Sequence, residues 1–297
     1  MGTIAVVAIE NLDANNIAKL MYCFRDALQE HKESLNSLNV YPVPDGDTGS
    51  NMTATLNSVV SEIESLEDPE FENIIEAISH GSLMGARGNS GVIISQILRG
   101  FVSEIKNASK KTIDANLFSD ALRAAASAAY EAVGNPVEGT ILTVVRETAE
   151  AAEKSLLEHS NLLMVVETAR EAAKRSLDST PDLLPVLARA GVVDAGGSGF
   201  LLMLDSLLHV IDDRPMPEPE IVKASVDSLI LDIHDDTTNS GTRYEVMYFL
   251  DAPDDLIPGF KKAWSEIGDS IVVVGGENIW NCHVHTNNIG AAVEAGI

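Results

Sequence analysis

Hydrophobic residues recur every three or four positions along the first 210 residues, which is the spacing of amphipathic helices. Segments that contain Gly and Pro interrupt this pattern every two to five helical turns, and they mark the connections between helices. The pattern predicts helices over residues 14–38, 51–66, 71–84, 91–106, 114–133, 140–158, 162–176, 181–189 and 198–210. The first part of the chain is therefore predicted to be all-helical.

The pattern changes after a proline-rich acidic stretch that begins at Asp212. Beyond it, residues 228–234, 244–250 and 270–275 have the composition of strands, and a helix is predicted over 258–267. We expect a helical domain over residues 1–212, a linker over 213–221 and a small α/β domain over 222–297. Since a new helix is predicted to begin near Gly290, we also expect the α/β domain to be truncated.

The formal net charge of −25 changes the range of expected partners. Such a field repels nucleic acid and anionic membrane surfaces, so an anionic substrate needs a metal ion, helix N-termini or a few cationic side chains. The two cysteines, Cys23 and Cys282, are too few and too far apart in sequence to indicate a disulfide framework, which fits a reducing compartment. No apolar stretch approaches the roughly 20 residues that span a bilayer, and no signal peptide is evident. We expect a cytoplasmic protein without an integral membrane segment.

Candidate chemistry is concentrated in Asn39-Val-Tyr-Pro-Val-Pro-Asp-Gly-Asp-Thr-Gly-Ser-Asn-Met52. The two prolines stiffen this loop, and Asp45 and Asp47 are separated by one glycine. Asp-Gly is more often a simple turn than a metal site. However, this loop joins two helical patterns, and paired carboxylates at a helix N-terminus suit a divalent cation with phosphate oxygens. Both interpretations stay open on the loop alone.

Three more small-residue turns open predicted helices: Gly81-Ser-Leu-Met-Gly-Ala-Arg-Gly-Asn-Ser-Gly91, Glu138-Gly-Thr-Ile-Leu-Thr143 and Gly191-Val-Val-Asp-Ala-Gly-Gly197. The first turn alone is explained equally well as a glycine-rich loop between helices, and the other two are explained by ordinary helix capping. None is a Walker A loop, because the chain contains no Gly-Lys dipeptide, and none is a Rossmann motif. If the four turns meet at one rim, they form an anion site beside a metal site.

Together these four motifs resemble the nucleotide-binding (DhaL-like) domain of dihydroxyacetone kinases, and more closely the ATP-binding subunit of bacterial fatty acid kinase. The resemblance covers nearly the whole chain. It implies a barrel of about eight antiparallel amphipathic helices, with ATP and Mg²⁺ at one rim, followed by a middle domain. It also implies a homodimer through that middle domain.

The resemblance assigns roles to individual residues. Asp45 and Asp47 would hold Mg²⁺, with help from Asn39 or Thr48, and Arg87 would stabilise charge unless it pairs with a carboxylate instead. The residues that would bind the nucleotide are Thr48, Asn51, Gly88, Asn89, Ser90, Gly91, Thr140, Leu142, Asp194 and Gly196.

The implied reaction is phosphoryl transfer from ATP to the carboxylate of a fatty acid, which a separate lipid-binding protein presents, giving an acyl phosphate. Such transfer depends on positioning and charge neutralisation more than on a protein nucleophile. Two alternatives remain: a dihydroxyacetone-type (glycerone) kinase subunit, and a nucleotide-sensing adaptor without turnover.

His283 and His285 form a second candidate site, because alternate residues of a strand share one face. A structural polar pair at a strand edge explains them equally well. The resemblance favours a cation site, since the related middle domain carries the same His-x-His motif. Its accompanying cysteine is replaced near Arg243, which argues against zinc here, and Cys282 is expected on the opposite face.

Overall fold

Amphipathic helices fill the first part of the chain, as the hydrophobic pattern predicts. The computed structural model describes residues 9–219, 242–276 and 278–297. Within residues 9–219, the long helices are α1 (Ala14–Glu30), α3 (Thr48–Glu64), α4 (Phe71–Gly85), α5 (Gly88–Ala108), α6 (Ala115–Ala132), α7 (Ile141–Ser155), α8 (Leu162–Asp178) and α11 (Ala195–Asp212). The short helices are α2 (Lys32–Leu38), α9 (Thr180–Leu183) and α10 (Pro185–Ala190). The eight long helices agree with the barrel of about eight helices that the resemblance implies.

The eight long helices form a closed ring. Each packs against the next along the chain, and α11 completes the ring by packing against both α8 and α1. Phe24, Met52, Phe118 and Phe200 are fully buried inside it, and aliphatic side chains and alanines fill the rest. Helices α5 and α6 approach closely at Gly100, where an added Cβ would lie 2.7 Å from the carbonyl oxygen of Ala124.

Two of the predicted helices are divided in the structure. The helix predicted over 14–38 breaks at His31, which ends α1 before α2 begins. The helix predicted over 181–189 breaks at Leu184, because the residue before Pro185 is held in an extended conformation. Helices α3, α5 and α11 begin three residues earlier than predicted, since the small residues of their first turns belong to the helix.

The second part of the chain contains a three-stranded antiparallel sheet. Its strands are β1 (Tyr244–Asp251), β2 (Gly268–Gly276) and β3 (Ile279–Thr286), in the order β1-β3-β2. A 3-10 turn (Asp254–Leu256) and α12 (Ile257–Ser265) connect β1 to β2, and α13 (Ile289–Glu294) follows β3. The strands predicted over 244–250 and 270–275 are confirmed, whereas the one predicted over 228–234 lies outside the described residues.

The two faces of the sheet contact different partners. Cys282 and Val284 of β3 pack with Trp264 of α12 and with α13, so Cys282 lies on the face opposite the two histidines, as predicted. On the other face, Val272 and Val274 pack against the ends of α4, α5 and α6 through Leu83, Ala86, Val92 and Ala132. The buried amide of Asn281 donates to the carbonyl of Leu83 at 3.3 Å. The sheet is therefore docked on the helical ring.

The described part of the predicted linker, residues 213–219, has no regular secondary structure and runs along the ring. Arg214 forms ion pairs with Asp212 and with Glu167. The carbonyl of Pro217 lies 3.0 Å from His31 Nε2, at the junction of α1 and α2. None of the helices within residues 9–219, 242–276 and 278–297 combines the length and the hydrophobicity of a membrane-spanning segment.

Candidate functional site

A cavity of about 550 Å³ lies between one rim of the ring and the sheet. This volume falls within the range of about 300–1,000 Å³ that is typical of small-molecule sites. The residues at the N-termini of α3, α5, α7 and α11 all line it. Helices α4, α6 and α8 lie between these four helices in the ring and run in the opposite direction, so the four N-termini lie at the same rim. The four motifs selected from the sequence thus lie around one space, where unpaired helix N–H groups favour an anion.

Two asparagines of the α2 region hold the aspartate loop against the ring. Asn39 is buried and donates from Nδ2 to Asp45 Oδ1 at 2.7 Å. Asn36 donates to Ser50 Oγ and accepts from the Ser50 backbone N–H, both at 3.1 Å. Gly46 between the aspartates has a φ of +69°, a conformation that favours glycine. These contacts hold Asp45 and the aspartate loop at the start of α3.

The carboxylates of Asp45 and Asp47 have the properties of a cation site. Partial burial raises the pKa of Asp45 to about 6, and the negative charge of Asp47 raises it in the same direction. Asp47 occupies the N-cap position of α3, yet its side chain makes no capping hydrogen bond. Two adjacent carboxylates that are partly removed from water fit a hard divalent cation such as Mg²⁺, which relieves their repulsion.

Cation affinity at this pair is expected to rise with pH. With its pKa raised to about 6, the Asp45 carboxyl is mostly protonated near pH 5 and mostly charged near pH 7. Since a cation competes with that proton, the affinity for Mg²⁺ should increase about tenfold over this interval and then level off. Calorimetric titration with MgCl₂ measures the effect. In Asp45→Asn the increase should disappear, and an unchanged slope in that variant would contradict the assignment.

The turn before α5 packs tightly against the start of α3. Gly88 has a φ of +56°, and a Cβ added there would lie 2.2 Å from Asn51 Nδ2. This close approach leaves Asn89 and Ser90, in the first turn of α5, lining the cavity beside Asn51 and Thr48. The backbone N–H groups of that turn are in position to bind an anion.

The turns before α7 and α11 form the adjoining wall. Thr140 caps α7, and its hydroxyl donates to the carbonyl of Val137 at 2.8 Å. Asp194 is buried and caps α11 by accepting from the Gly197 N–H at 2.7 Å. Burial raises the pKa of Asp194 to about 6, and hydrogen bonds from the N–H groups of Gly197, Ile141 and Gly196 act in the opposite direction. Asp194 therefore joins the starts of α7 and α11.

The histidine pair faces this cavity from the sheet. The ring centroids of His283 and His285 are 4.9 Å apart, and His283 Nδ1 lies 3.1 Å from Glu245 Oε1. The pKa of His285 is lowered mainly by its burial and also by the neighbouring His283. Throughout the described ranges, no three His, Cys, Asp or Glu side chains are grouped as metal ligands. Arg243 stands near the place of the family cysteine, with its guanidinium 5.8 Å from the ring centre of Tyr244. The residues present do not fit the zinc site implied by the resemblance.

The structure brings most of the predicted site residues together, but not all of them. Those that line the cavity are Asn39, Asp45, Asp47, Thr48, Asn51, Gly88, Asn89, Ser90, Thr140, Leu142, Asp194, Gly196, His283 and His285. Arg87 does not line it: its exposed guanidinium donates to the carbonyls of Met84 and Ala86. Gly91 faces α3 instead, where a Cβ would lie 2.7 Å from Thr55 Oγ1. The chemical roles of the lining residues stay predictions.

Sequence reasoning missed several residues that line the cavity. Tyr41 lies within the aspartate loop, and Glu131 lies at the end of α6. The sheet domain contributes Glu245, Lys261 and Asp269. For Glu245 and Asp269 the only sequence signal is the alternation along β1 and β2, whereas Glu131 and Lys261 lie on helices. No local pattern shows that the sheet lies over the rim.

Comparison with protein families agrees with this arrangement. The profile of the DAK2 domain matches residues 42–209, which include the aspartate loop and most of the ring. The profile of the middle domain of FakA-like fatty acid kinase proteins matches residues 241–297, which form the sheet domain. The resemblance found from the four motifs is thus confirmed.

Curated relatives and solved structures extend the comparison. The chain is 36% identical over 295 residues to Protein YloV of Bacillus subtilis, covering 96% of this chain and 53% of that protein. It is 35% identical over 290 residues to an uncharacterized protein of Staphylococcus saprophyticus, covering 95% of this chain and 52% of that protein. The chain thus spans about half the length of these relatives.

The fold is similar to that of a dihydroxyacetone kinase from C. freundii, solved in complex with AMP-PNP and Mg²⁺. The TM-score is 0.50 at 16% identity, over 70% of this chain and 36% of that one. On the strength of the match over residues 42–209, the chain belongs to the DAK2 domain family.

Proposed function

We propose that this chain is the ATP-binding part of a kinase that phosphorylates the carboxylate of a fatty acid, presented by a separate lipid-binding protein, to give an acyl phosphate. The observation that carries the proposal is the position of Asp45 and Asp47. They lie at the start of α3, where Asp47 makes no capping hydrogen bond, in a cavity that three other helix N-termini also line. A binding site for a nucleoside triphosphate requires carboxylates that hold a metal ion and N–H groups that bind the phosphates.

Each wall of the cavity has a role in this function. Asp45 and Asp47 would hold Mg²⁺, and Asn39 orients Asp45 through its 2.7 Å hydrogen bond. The first turn of α5 would bind phosphate oxygens through its backbone N–H groups and Ser90. Thr140, Leu142 and Gly196 would line the nucleotide, while Asp194 keeps the two helix starts together. A bound Mg²⁺ supplies positive charge to the phosphate oxygens.

The similarity of residues 241–297 to a fatty acid kinase middle domain supports the choice of acceptor. Within the lining, the carboxylates outnumber the permanent cations, so a free fatty acid anion would be repelled unless it is delivered. Delivery by a second protein would place the acceptor carboxylate beside the bound nucleotide.

A dihydroxyacetone-type kinase subunit is the second candidate, and its support is the fold similarity to the C. freundii enzyme. A nucleotide-sensing adaptor without turnover is the third. ATP turnover separates the three: ADP formation is measured with a fatty-acid-loaded carrier protein, with the empty carrier and with free dihydroxyacetone. We expect turnover only with the loaded carrier. Turnover with dihydroxyacetone would favour the second candidate, and binding without any turnover would favour the third.

A further inference from the structure

The walls of the cavity are strongly acidic. Of the described residues that line it, six carry carboxylates: Asp45, Asp47, Glu131, Asp194, Glu245 and Asp269. Lys261 is the one lysine or arginine in the same lining. A polyphosphate that enters this space meets a net negative surface. The position of the single permanent cation therefore matters for its binding.

Lys261 is held in place by the core of the sheet domain. On either side of it in α12, Phe260 and Trp264 are buried under the sheet, and their rings are 4.6 Å apart. The lysine side chain is half-buried and comes within the electrostatic range of Glu131 on α6. Lys261 thus belongs to the lining of the space between the sheet and the ring.

The ammonium group of Lys261 has no partner among the described residues. It forms neither an ion pair nor a hydrogen bond with any of them. Burial lowers its pKa, and the nearby Cys282 and Glu131 side chains act in the opposite direction. Partly buried charges are usually paired, so a lysine in this setting is suited to an anion supplied from outside the chain.

We propose that Lys261 binds the phosphate tail of the nucleotide, so that the sheet domain completes the nucleotide site of the helical ring. The inference rests on the proposed function, since it requires a nucleotide in the cavity. In that complex the lysine and the metal-binding aspartates belong to different domains. Nucleotide binding therefore holds the sheet against the rim.

The test compares Lys261→Met with Lys262→Met in the 297-residue chain. Lys262 is the next residue of the same helix, but it is exposed and does not line the cavity. Calorimetry with MgATP should show about tenfold weaker binding for Lys261→Met and unchanged binding for Lys262→Met, since a charge-assisted contact is lost only in the first. Adenosine, which lacks phosphates, should bind with the same affinity to the unmodified chain and to both methionine variants. Lys261→Arg should retain most of the MgATP affinity.

Equal MgATP affinity in Lys261→Met and Lys262→Met would overturn the assignment, as would a parallel loss of adenosine binding. Thermal unfolding followed by circular dichroism shows whether Lys261→Met is folded. If it is not, the MgATP affinity of Lys261→Arg tests the proposal, since this variant should retain most of it. If the unmodified chain binds no MgATP, the proposed function itself fails, and this outcome is distinct from a failure confined to Lys261.

Discussion

Replacing Asp45 and Asp47 together by alanine should weaken Mg²⁺-dependent ATP binding at least about 100-fold, because two charged contacts to the metal ion are lost. The helical ring should stay intact, since Asp47 makes no capping hydrogen bond and Asp45 is bonded only to loop groups. Calorimetric titration of ATP with and without MgCl₂ measures the loss, and far-ultraviolet circular dichroism monitors the helices.

Asp254→Ala with Asp255→Ala is the matched control for this experiment. These two carboxylates are also close in sequence, but they are exposed in the 3-10 turn and lie outside the cavity lining. The control changes the net charge by the same amount and should leave ATP binding unchanged. If both double variants bind MgATP as the unmodified chain does, the metal assignment is wrong.

Gly88→Ala is expected to destabilise the chain and also to weaken nucleotide binding. The φ of +56° at Gly88 is unfavourable for alanine by about 1–2 kcal/mol. In addition, the new Cβ would collide with the Asn51 amide, which lines the cavity beside Thr48. We expect a lower midpoint of thermal unfolding and about tenfold weaker MgATP binding, because displacement of Asn51 disturbs the first turn of α3.

Gly191→Ala separates the two effects. Gly191 has a φ of +67°, but nothing lies within 4 Å of an added Cβ, and the residue is outside the lining. It should therefore show a similar loss of thermal stability, measured by calorimetric unfolding, with normal MgATP affinity. Weakened binding in Gly191→Ala would mean that stability alone, rather than the contact with Asn51, controls the site.

The helices were predictable because their burial follows sequence periodicity, but their ends depend on neighbouring elements. No glycine or proline marks the break at His31. The early start of α3 depends on packing, since a Cβ on Gly49 would lie 2.3 Å from the carbonyl oxygen of Lys32 in α2. Such contacts between elements leave no local pattern.

The residues of the candidate site also differ in how far the sequence predicts them. The aspartate pair and the Gly88 turn are visible in the sequence because their chemistry is local. The position of Lys261 cannot be predicted from the sequence, because α12 reaches the cavity only through the docking of the sheet on Leu83 and Val92. Arg87 is predicted to lie in the site because it belongs to the Gly81–Gly91 motif, but its side chain donates to carbonyls at the end of α4 instead.

The closed ring has a consequence for folding. Its last helix, α11, carries Asp194, whose carboxylate accepts from the N–H of Ile141 at the start of α7. The wall of the cavity is therefore incomplete until α11, which begins 181 residues after the start of α1, has packed between α8 and α1. Contacts so distant in sequence form late. During refolding, ligand binding should thus report the closure of the ring, whereas circular dichroism reports only the formation of its helices.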